Sequence, residues 1–598
     1  MEESNYWARL YLRRMSRRSL LTAGGTVALG AATAAVVGCG GGGDEPNGSP
    51  TPAGGTAKPT TAGWDPVSGG KVTQGRLLSV LGIDPHVDLT GLDIVPRIYT
   101  YLYAWQPFNE TAIFNNFATS LEIPDRDGLE FILKLRPGIM VQPQRDNPAA
   151  GEELTSADVK SSFIRRTTSI TAIDKRFGGR IVGKHVADEP SLQAALQTPD
   201  PYTFTFKMKT PFVPSVREMS NPTWAMIPQK VTDKFGLGLS QSAYGSGPFM
   251  LTEFRGYERI KLQRHPNFWL KPRPYLDSIT YIVITEASSL LAAFDSGEHD
   301  INGAILTRKQ GEDRQKDSRF VVVKVPTRFY PVIHFKTHKT LPFGDIKVRE
   351  AIDLGLDRDE MIKVIWDGEG QYNGPVQYLM KRFSLPQAEL REAMPYDPER
   401  ARKLLADAGY PNGFQVKMKL PRVPGAPFIA DLSSLIKDQL QKIKIDLLLD
   451  EVELGTFIAN TILPGNFEMA FFPNLPYDEP DRPLSFYHSR GVTGGGNWNN
   501  YQNAAIDRLI DEQSQEFNDE KRVEIIHKVQ RLILKEHGPQ ITMPGGNFYS
   551  ARWNYVHFPF EFSGDPGTGI LSVSEDPLKI GAMNLGPDAS DLWSEEGA

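Results

Sequence analysis

The sequence predicts a mixed α/β protein built from several packing units, and three observations support this fold class. The chain has 598 residues, far more than one hydrophobic core normally organises. In some stretches apolar residues alternate with polar ones, and in others they recur at helical spacing. Turns containing Gly and Pro separate these stretches, so predicted strands and helices follow one another along the chain.

Composition excludes several classes of function. The formal net charge of -6 gives no reason to expect a nucleic-acid partner. Cys39 is the single cysteine, so the chain cannot form an internal disulfide, a zinc–thiolate cluster or a thiol redox pair. Aromatic residues make up 10% of the chain, which suits a large core and equally suits a cleft that receives varied ligands.

Residues 1–39 form a predicted export signal. A basic region with four arginines precedes an apolar run rich in Ala and Gly at residues 20–37. The segment SRRSLL at 16–21 matches a twin-arginine export signal. The run ends in VVGC, which resembles the lipobox of bacterial lipoproteins, so Cys39 is the predicted lipid anchor. The alternative is that Cys39 is a spare thiol in an unstructured tail.

Residues 40–66 are a predicted flexible tether. They consist mainly of Gly, Pro, Thr, Ser and Ala, and they cannot bury enough apolar surface to offset the entropy of ordering. After a lipid-bearing Cys39, such a tether would hold a folded body away from the membrane surface. The body is expected to begin near residues 64–70.

The first half of the body predicts strands with one helix between them. Residues 129–135 and 202–208 alternate apolar and polar side chains, which is typical of half-buried strands. Ser156 is the predicted N-cap of a helix whose apolar face includes Val159 and Phe163. A GSGP turn at 245–248 then precedes further alternation, a β-rich run at 279–285 and an apolar helix at 288–294.

The second half of the body predicts capped helices and further strands. The predicted N-cap residues are Asp345, Asp357, Asp397 and Asn518, and Glu360 is placed to complete a capping box with Asp357. Strands are expected at 321–335, 414–420 and 445–452. The helix after Asn518 is expected to bury the following face: Val523, Ile526, Val529, Leu532 and Ile533.

Several ordered segments resemble one protein family. The segments GSGPF (245–249), HPNFW (265–269) and SGEHDI (296–301) follow the order of GTGPY, NPDYW and SGEVDI in the extracellular solute-binding proteins, family 5, of peptide/nickel-type ABC importers. KVREAIDLGLDRDEMI (347–362) and YDPERARKLLADAGYPNGF (396–414) are also similar to segments of that family. The resemblance extends from about residue 70 to 560, although Lys336 stands where the family has Asn.

This resemblance implies a two-lobed periplasmic-binding-protein-like fold of type II, in the large peptide-binder class with an extra subdomain in lobe 1. Lobe 1 would span residues 67–325, lobe 2 residues 326–543, and residues 544–598 would return to lobe 1. The implied function is capture of a peptide-like solute between the lobes and delivery to a membrane permease. The protein would be exported, lipid-anchored at the outer face of the cytoplasmic membrane or in the periplasm, and monomeric.

The resemblance also implies a ligand site near residues 474–501. DEPDR at 478–482 can be aligned with the family's DYPDP, whose Asp pairs with a peptide ammonium, so Asp481 is the predicted ammonium partner. Tyr477, Trp498 and Tyr501 are the predicted aromatic contacts to ligand. The alternatives are that the acidic residues lie on a solvated turn and that the aromatic residues belong to the core.

No catalytic motif, metal site or cofactor is predicted. The sequence lacks a GxSxG elbow, an HExxH pair and a P-loop. Other cargoes of the same fold stay open, namely an oligosaccharide, an opine-like compound or a chelated metal, because fold does not fix ligand. An exported sensor or hydrolase ectodomain is the alternative of a different class.

Overall fold

A computed structural model of the protein describes residues 68–556, with gaps at 89, 103, 106–111, 114–116, 125–128, 169–193, 209, 220, 237, 272, 328–329, 424–425, 475–478 and 494–495. The chain divides into two units, residues 1–65 and 66–598, and all described residues belong to the second unit. The predicted export signal, the whole predicted tether, Cys39 and Tyr477 therefore lie outside the described residues.

Strands of the first lobe form two four-stranded sheets, a short hairpin and a two-stranded ribbon. In one sheet β1 lies parallel to β10, and the order is β1-β10-β9-β8; in the other the order is β4-β5-β7-β6. The strands are β1 Lys71–Arg76, β2 Ala104–Trp105, β3 Ala112–Ile113, β4 Ala118–Glu122, β5 Glu130–Leu135, β6 Leu196–Asp200, β7 Thr203–Lys207, β8 Phe249–Arg255, β9 Arg259–Arg264, β10 Ser278–Val283 and β11 Phe320–Pro326.

Strands of the second lobe form one five-stranded sheet with the order β14-β13-β15-β12-β16. Strand β13 is parallel to β14 and β15, whereas β12 is antiparallel to β15 and β16. The remaining strand, β17, pairs with β11 to form the ribbon. These strands are β12 Tyr330–Phe335, β13 Phe414–Arg422, β14 Ile445–Glu453, β15 Met469–Asn474, β16 Gln540–Thr542 and β17 Asn547–Trp553.

Helices pack against the sheets, and many begin at a side chain that accepts a hydrogen bond from a backbone N–H of the first turn. They are α1 Val95–Ile98, α2 Ser156–Thr168, α3 Ser215–Glu218, α4 Gln229–Phe235, α5 Ala287–Asp295, α6 Arg308–Gln315, α7 Ile346–Leu354, α8 Arg358–Ile365, α9 Gln387–Ala393, α10 Pro398–Asp407, α11 Phe428–Gln441, α12 Leu454–Phe457, α13 Asp481–Ser485, α14 Ala504–Gln515 and α15 Asp519–Lys535.

The chain passes twice between the ribbon and the five-stranded sheet. The first passage lies between Pro326 and Tyr330, and the second lies between Thr542 and Asn547. Isolated bridges from Ile301 reach both β1 and β17, so the ribbon belongs with the sheets of the first lobe. The predicted lobe boundaries at residues 325/326 and 543/544 stay predictions.

Aromatic packing anchors the ribbon to the second lobe beside these passages. The rings of Trp366, Phe428 and Phe548 lie 5.4–5.5 Å apart, and all three belong to the large core on one face of the five-stranded sheet. Glu369 also contacts Lys324 of β11 at 2.6 Å and Arg308 of α6 at 3.6 Å. Both aromatic packing and ion pairs therefore connect the two lobes beside the chain passages.

The predicted helix caps show where local sequence rules hold. Asp345, Asp357 and Asp397 each accept a hydrogen bond from a backbone N–H of the first helical turn, as predicted. Asn518 caps α15 in the same way. The local rule works here because the capping side chain and the backbone N–H that donates to it lie within three residues of each other.

Two capping predictions are wrong. Ser156 is the first residue of α2, and its hydroxyl donates to the carbonyl oxygen of Asp200 at 2.7 Å instead of capping the helix. The carboxylate of Glu360 does not complete a capping box, because it accepts a hydrogen bond from Gln439 at 2.8 Å. The Gln439 side-chain oxygen in turn accepts from the backbone N–H of Asp357 at 2.9 Å. In both cases a partner distant in sequence replaces the local one.

Candidate functional site

The predicted ligand segment begins where β15 ends and continues into α13. Asn474 is the last residue of β15 and lies opposite Tyr330, the first residue of β12. Glu479 follows the gap at 475–478, and Asp481 is the first residue of α13. The segment therefore starts beside the first passage of the chain between the lobes.

Asp481 lies inside the second lobe and not on a solvated turn. Asp481 is 1% exposed, and its Oδ1 accepts a hydrogen bond from Gln513 Nε2 at 2.6 Å. Its backbone N–H donates to Oε1 of Glu479 at 3.2 Å. Gln513 is on α14, so this hydrogen bond joins the start of α13 to α14. Its role as ammonium partner stays a prediction.

Arg522 is the cation of this buried group. Its guanidinium donates to the main-chain and side-chain oxygens of Gln513, each at 3.1 Å, and it forms an ion pair with Glu479. Arg522 and Glu479 side chains are 0% and 3% exposed. A buried charge without a partner costs several kcal/mol, so these contacts hold the arrangement together. We call Glu479, Asp481, Gln513 and Arg522 the acid–arginine cluster.

Sequence reasoning missed Arg522 and Gln513. The predicted buried face of α15 included Val523 and Leu532, but these two are only partly buried, whereas Arg522 is fully buried. An amphipathic pattern assigns a charged residue to the solvent side, so it cannot identify an arginine that is buried to pair with an acid. The available signal was the acidic segment at 478–481, which needs a cation if it is buried.

The acid–arginine cluster lies next to a contact between the two lobes. The backbone N–H of Val213, in the segment that follows β7, donates to the carbonyl oxygen of Ser514 at 2.8 Å. Ser514 follows Gln513 directly on α14, and Phe212 and Val213 are 1% and 0% exposed. A first-lobe segment therefore touches the second lobe one residue from the cluster. In this conformation the lobes are in contact there.

The two described aromatic candidates pack against the protein itself. Trp498 stacks on Phe486 with ring centroids 5.4 Å apart, and it lies 6.1 Å from the ring of Phe472. Tyr501 is 7% exposed within a hydrophobic cluster of α14 and α15, and burial raises the pKa of its phenol. Their ligand contacts stay predictions, and the packing shown gives them a structural role as well.

Lys336 joins two segments near Trp498. Its ammonium donates to the carbonyl oxygens of Gly465 and Trp498, each at 3.0 Å, and desolvation lowers its pKa. This is the position where the family resemblance leads one to expect Asn. The lysine side chain, which is longer than that of Asn, therefore holds the segment that carries Trp498.

Within the described residues there is no group of three or more His, Cys, Asp or Glu side chains placed to hold a metal ion. His334 lies in β12, with its ring stacked on that of Phe472 at 4.1 Å, and burial lowers its pKa to about 3. A histidine held neutral in this way belongs to the core. No helix in the described part of the chain is both long enough and apolar enough to cross a membrane.

Two lobes joined by two chain passages, with buried charges beside an interlobe contact, are the features of a solute-binding protein. The chain belongs to the bacterial extracellular solute-binding proteins, family 5: the sequence model of that family (its Middle region) matches residues 113–497, well over half of the chain. This family serves ABC transporters and consists of binding proteins, so the predictions of the family and of a non-enzyme are confirmed. An exported location follows from the same membership.

A curated relative is the glutathione-binding protein GsiB of Escherichia coli O1:K1 / APEC, 28% identical over 309 residues. That match covers 52% of this chain and 56% of GsiB, so the chain spans about half the length of the curated relatives it matches. Two solved structures share the fold. One is DppA from Helicobacter pylori in complex with peptide STSA, with a TM-score of 0.73 and 21% identity; the match covers 85% of this chain and 99% of DppA. The other is AgaA from A. tumefaciens R10 in complex with agropinic acid, with a TM-score of 0.70 and 22% identity; the match covers 84% of this chain and 98% of AgaA.

These comparisons confirm the predicted two-lobed α/β fold of the periplasmic-binding-protein type. The alignments extend over almost the whole of both solved chains, so the architecture is shared from the first sheet to the ribbon. Identities of 21% and 22% establish the fold and not the cargo.

Proposed function

We propose that this protein is the substrate-binding lipoprotein of an ABC importer and that it captures a peptide-like solute between its lobes. The observation that carries the proposal is the buried acid–arginine cluster beside the Val213–Ser514 contact, in a fold shared with peptide-bound DppA. A cargo that contacts both lobes favours the closed conformation because those contacts exist only there. The closed form would then be recognised by the permease.

Within this proposal Asp481 supplies negative charge to the cargo's ammonium, and Tyr477, Trp498 and Tyr501 line the site. An ammonium in a closed cleft needs a carboxylate partner, since an unpaired buried charge costs several kcal/mol. Main-chain groups of both lobes would hold an extended peptide regardless of its side chains. The protein would act as a monomer, with lobe boundaries near residues 325/326 and 543/544.

The direct experiment is calorimetric titration of the full chain with a mixture of di- and tripeptides, followed by mass spectrometry of the peptides recovered. We expect saturable heat and intact peptides. Asp481→Asn should weaken binding at least about tenfold, which is 1.4 kcal/mol. The matched control is Asp450→Asn, because Asp450 is on the surface 3.9 Å from Lys417. Equal affinities of the two variants would remove Asp481 from the site, and hydrolysed peptides would contradict the function.

An opine-like cargo is the second candidate, and the match to AgaA bound to agropinic acid favours it. Titration with agropinic acid alongside the peptides separates the two cargoes, because saturable heat with the opine alone would replace the peptide proposal.

Lipid attachment at Cys39 and twin-arginine export complete the proposal. Cys39→Ser should release the protein from the membrane fraction of expressing cells, whereas Arg17→Lys with Arg18→Lys should retain it in the cytoplasm. Two or more acyl chains on one residue give stable anchoring, which one chain does not. Membrane association that persists in Cys39→Ser would rule out this anchor.

A further inference from the structure

The C-terminal end of α14 is capped in part by a backbone group of the other lobe. The last four carbonyl groups of an α-helix have no hydrogen-bond partner within the helix, and α14 ends at Gln515. Of these carbonyls, that of Gln513 accepts from Arg522 of the second lobe at 3.1 Å. That of Ser514 accepts from the backbone N–H of Val213 at 2.8 Å, and Val213 belongs to the first lobe. One of these caps therefore lies within a lobe, whereas the other joins the two lobes.

The donor of this interlobe cap lies in a short segment that holds it in place. Residues 211–215 read Pro-Phe-Val-Pro-Ser, and residues 212–215 are buried. The N–H of Ser215 donates to the carbonyl oxygen of Phe212 at 3.1 Å, which closes a turn that contains Val213. The two prolines restrict the backbone of the segment, so it has little conformational freedom to lose when its N–H is bound.

The acceptor of the interlobe cap is also held in place. Ser514 is 2% exposed, and its hydroxyl donates to the carbonyl oxygen of Asp511, one turn earlier in α14, at 2.8 Å. The neighbouring Gln513 is bound within the acid–arginine cluster. A hydrogen bond weakens steeply when its donor and acceptor are misaligned. Since each partner is fixed within its own lobe, the bond between them depends on the angle between the lobes.

We propose that residues 211–215 form a closure latch, which caps α14 when the lobes are closed and releases it when they open. Neither Val213 nor Ser514 belongs to the chain passages, so rotation of the lobes about these passages separates the two residues. The latch rests on the proposed function, because it stabilises the closed conformation in which cargo is captured. It acts through a backbone hydrogen bond between the lobes, so it favours closure whatever the cargo is.

The latch sets a modest bias towards closure. In the open form water replaces each partner of the Val213–Ser514 bond, so the net contribution of the bond is that of an ordinary protein hydrogen bond. Such a contribution corresponds to a change of about fivefold in the ratio of closed to open molecules. The bias is small enough to be reversed, as capture and release of a cargo require.

Pulsed electron paramagnetic resonance of the full chain, without cargo, measures the ratio of closed to open molecules. Spin labels are attached at Asp233→Cys in α4 and Lys403→Cys in α10, which are exposed positions in different lobes. Cys39→Ser removes the single native thiol. In this background Val213→Pro lacks the latch N–H, and the matched control Val213→Ala keeps it. Both variants lose the isopropyl group, so the ratio should be about fivefold lower in Val213→Pro than in Val213→Ala.

Hydrogen exchange of the unsubstituted chain tests the latch without any variant at the latch itself. Within residues 211–214 the only backbone N–H groups are those of Phe212 and Val213, because the other two residues are prolines. Without cargo, the Val213 amide should exchange at least about tenfold more slowly than in an unstructured peptide.

Three results would overturn the inference. One is an equal ratio of closed to open molecules in Val213→Pro and Val213→Ala. Another is the absence of a closed population in the labelled chain without cargo. The third is exchange of the Val213 amide at the rate of an unstructured peptide. No cargo is present in these experiments, so failure of the latch is distinguishable from failure of the proposed function, which the peptide titration tests.

Discussion

Arg522→Ala should destabilise the second lobe strongly, because this guanidinium is wholly buried and holds three other groups. The substitution removes the donors to both oxygens of Gln513, which lie 3.1 Å away, and the charge that compensates Glu479. Gln513 in turn donates to Asp481 at 2.6 Å, so the loss extends to the predicted ammonium partner.

The magnitude follows from the burial of the pair. Breaking a buried ion pair by removing one partner costs about 3–5 kcal/mol, since the other charge stays buried. Over a lobe of about 200 residues this lowers the unfolding temperature by roughly 10 °C. Arg531 on the same helix is the matched control, because it pairs with Glu389 at the surface and is 52% exposed. Losing such a pair costs at most about 1 kcal/mol, or roughly 3 °C.

Differential scanning calorimetry of both variants, with cargo absent, measures the two shifts. The reasoning is refuted if Arg522→Ala and Arg531→Ala lower the unfolding temperature equally. It is also refuted if Arg522→Ala unfolds at the wild-type temperature, because the buried pair would then contribute nothing to stability.

Two further predictions concern acid and backbone packing. Burial lowers the pKa of His265 to about 4 and that of His334 to about 3, so the unfolded state takes up protons first as the pH falls below about 6.5. The histidines therefore cost no stability above that pH, and each should lower the free energy of unfolding by about 2 kcal/mol at pH 5. Urea unfolding at pH 7 and at pH 5 measures this loss, and equal unfolding free energies at the two pH values would contradict it. Gly303→Ala places a Cβ 1.7 Å from the carbonyl oxygen of Gly75, so it should lower the free energy of unfolding in urea by about 1–3 kcal/mol. In the control Gly238→Ala the added Cβ has no atom within 4 Å, so the loss should be less than about 1 kcal/mol. Equal losses in the two variants would refute the packing argument.

The strands and most helix caps could be predicted because their signals are local. Period-two alternation at 129–135 and 202–208 corresponds to β5 and β7, and the caps at Asp345, Asp357 and Asp397 bind N–H groups within three residues. Family resemblance then supplied the order of these elements and the two-lobed fold, which no single segment specifies.

The candidate site was less predictable because its contacts join residues distant in sequence. Asp481 and Gln513 are 32 residues apart, and Glu479 and Arg522 are 43 residues apart. The pattern of α15 gave no indication that Arg522 is buried, since hydrophobic periodicity treats every arginine as a surface residue. The capping box predicted for Glu360 failed for the same reason, because Gln439 approaches it from another helix.

Closure of the two lobes on a cargo is most directly tested by small-angle X-ray scattering of the full chain during titration with the peptide mixture. The account predicts that the radius of gyration decreases saturably, over the same concentrations that give heat in calorimetry, and that it returns when the peptides are dialysed away. Saturable binding with an unchanged radius of gyration would contradict capture by lobe closure.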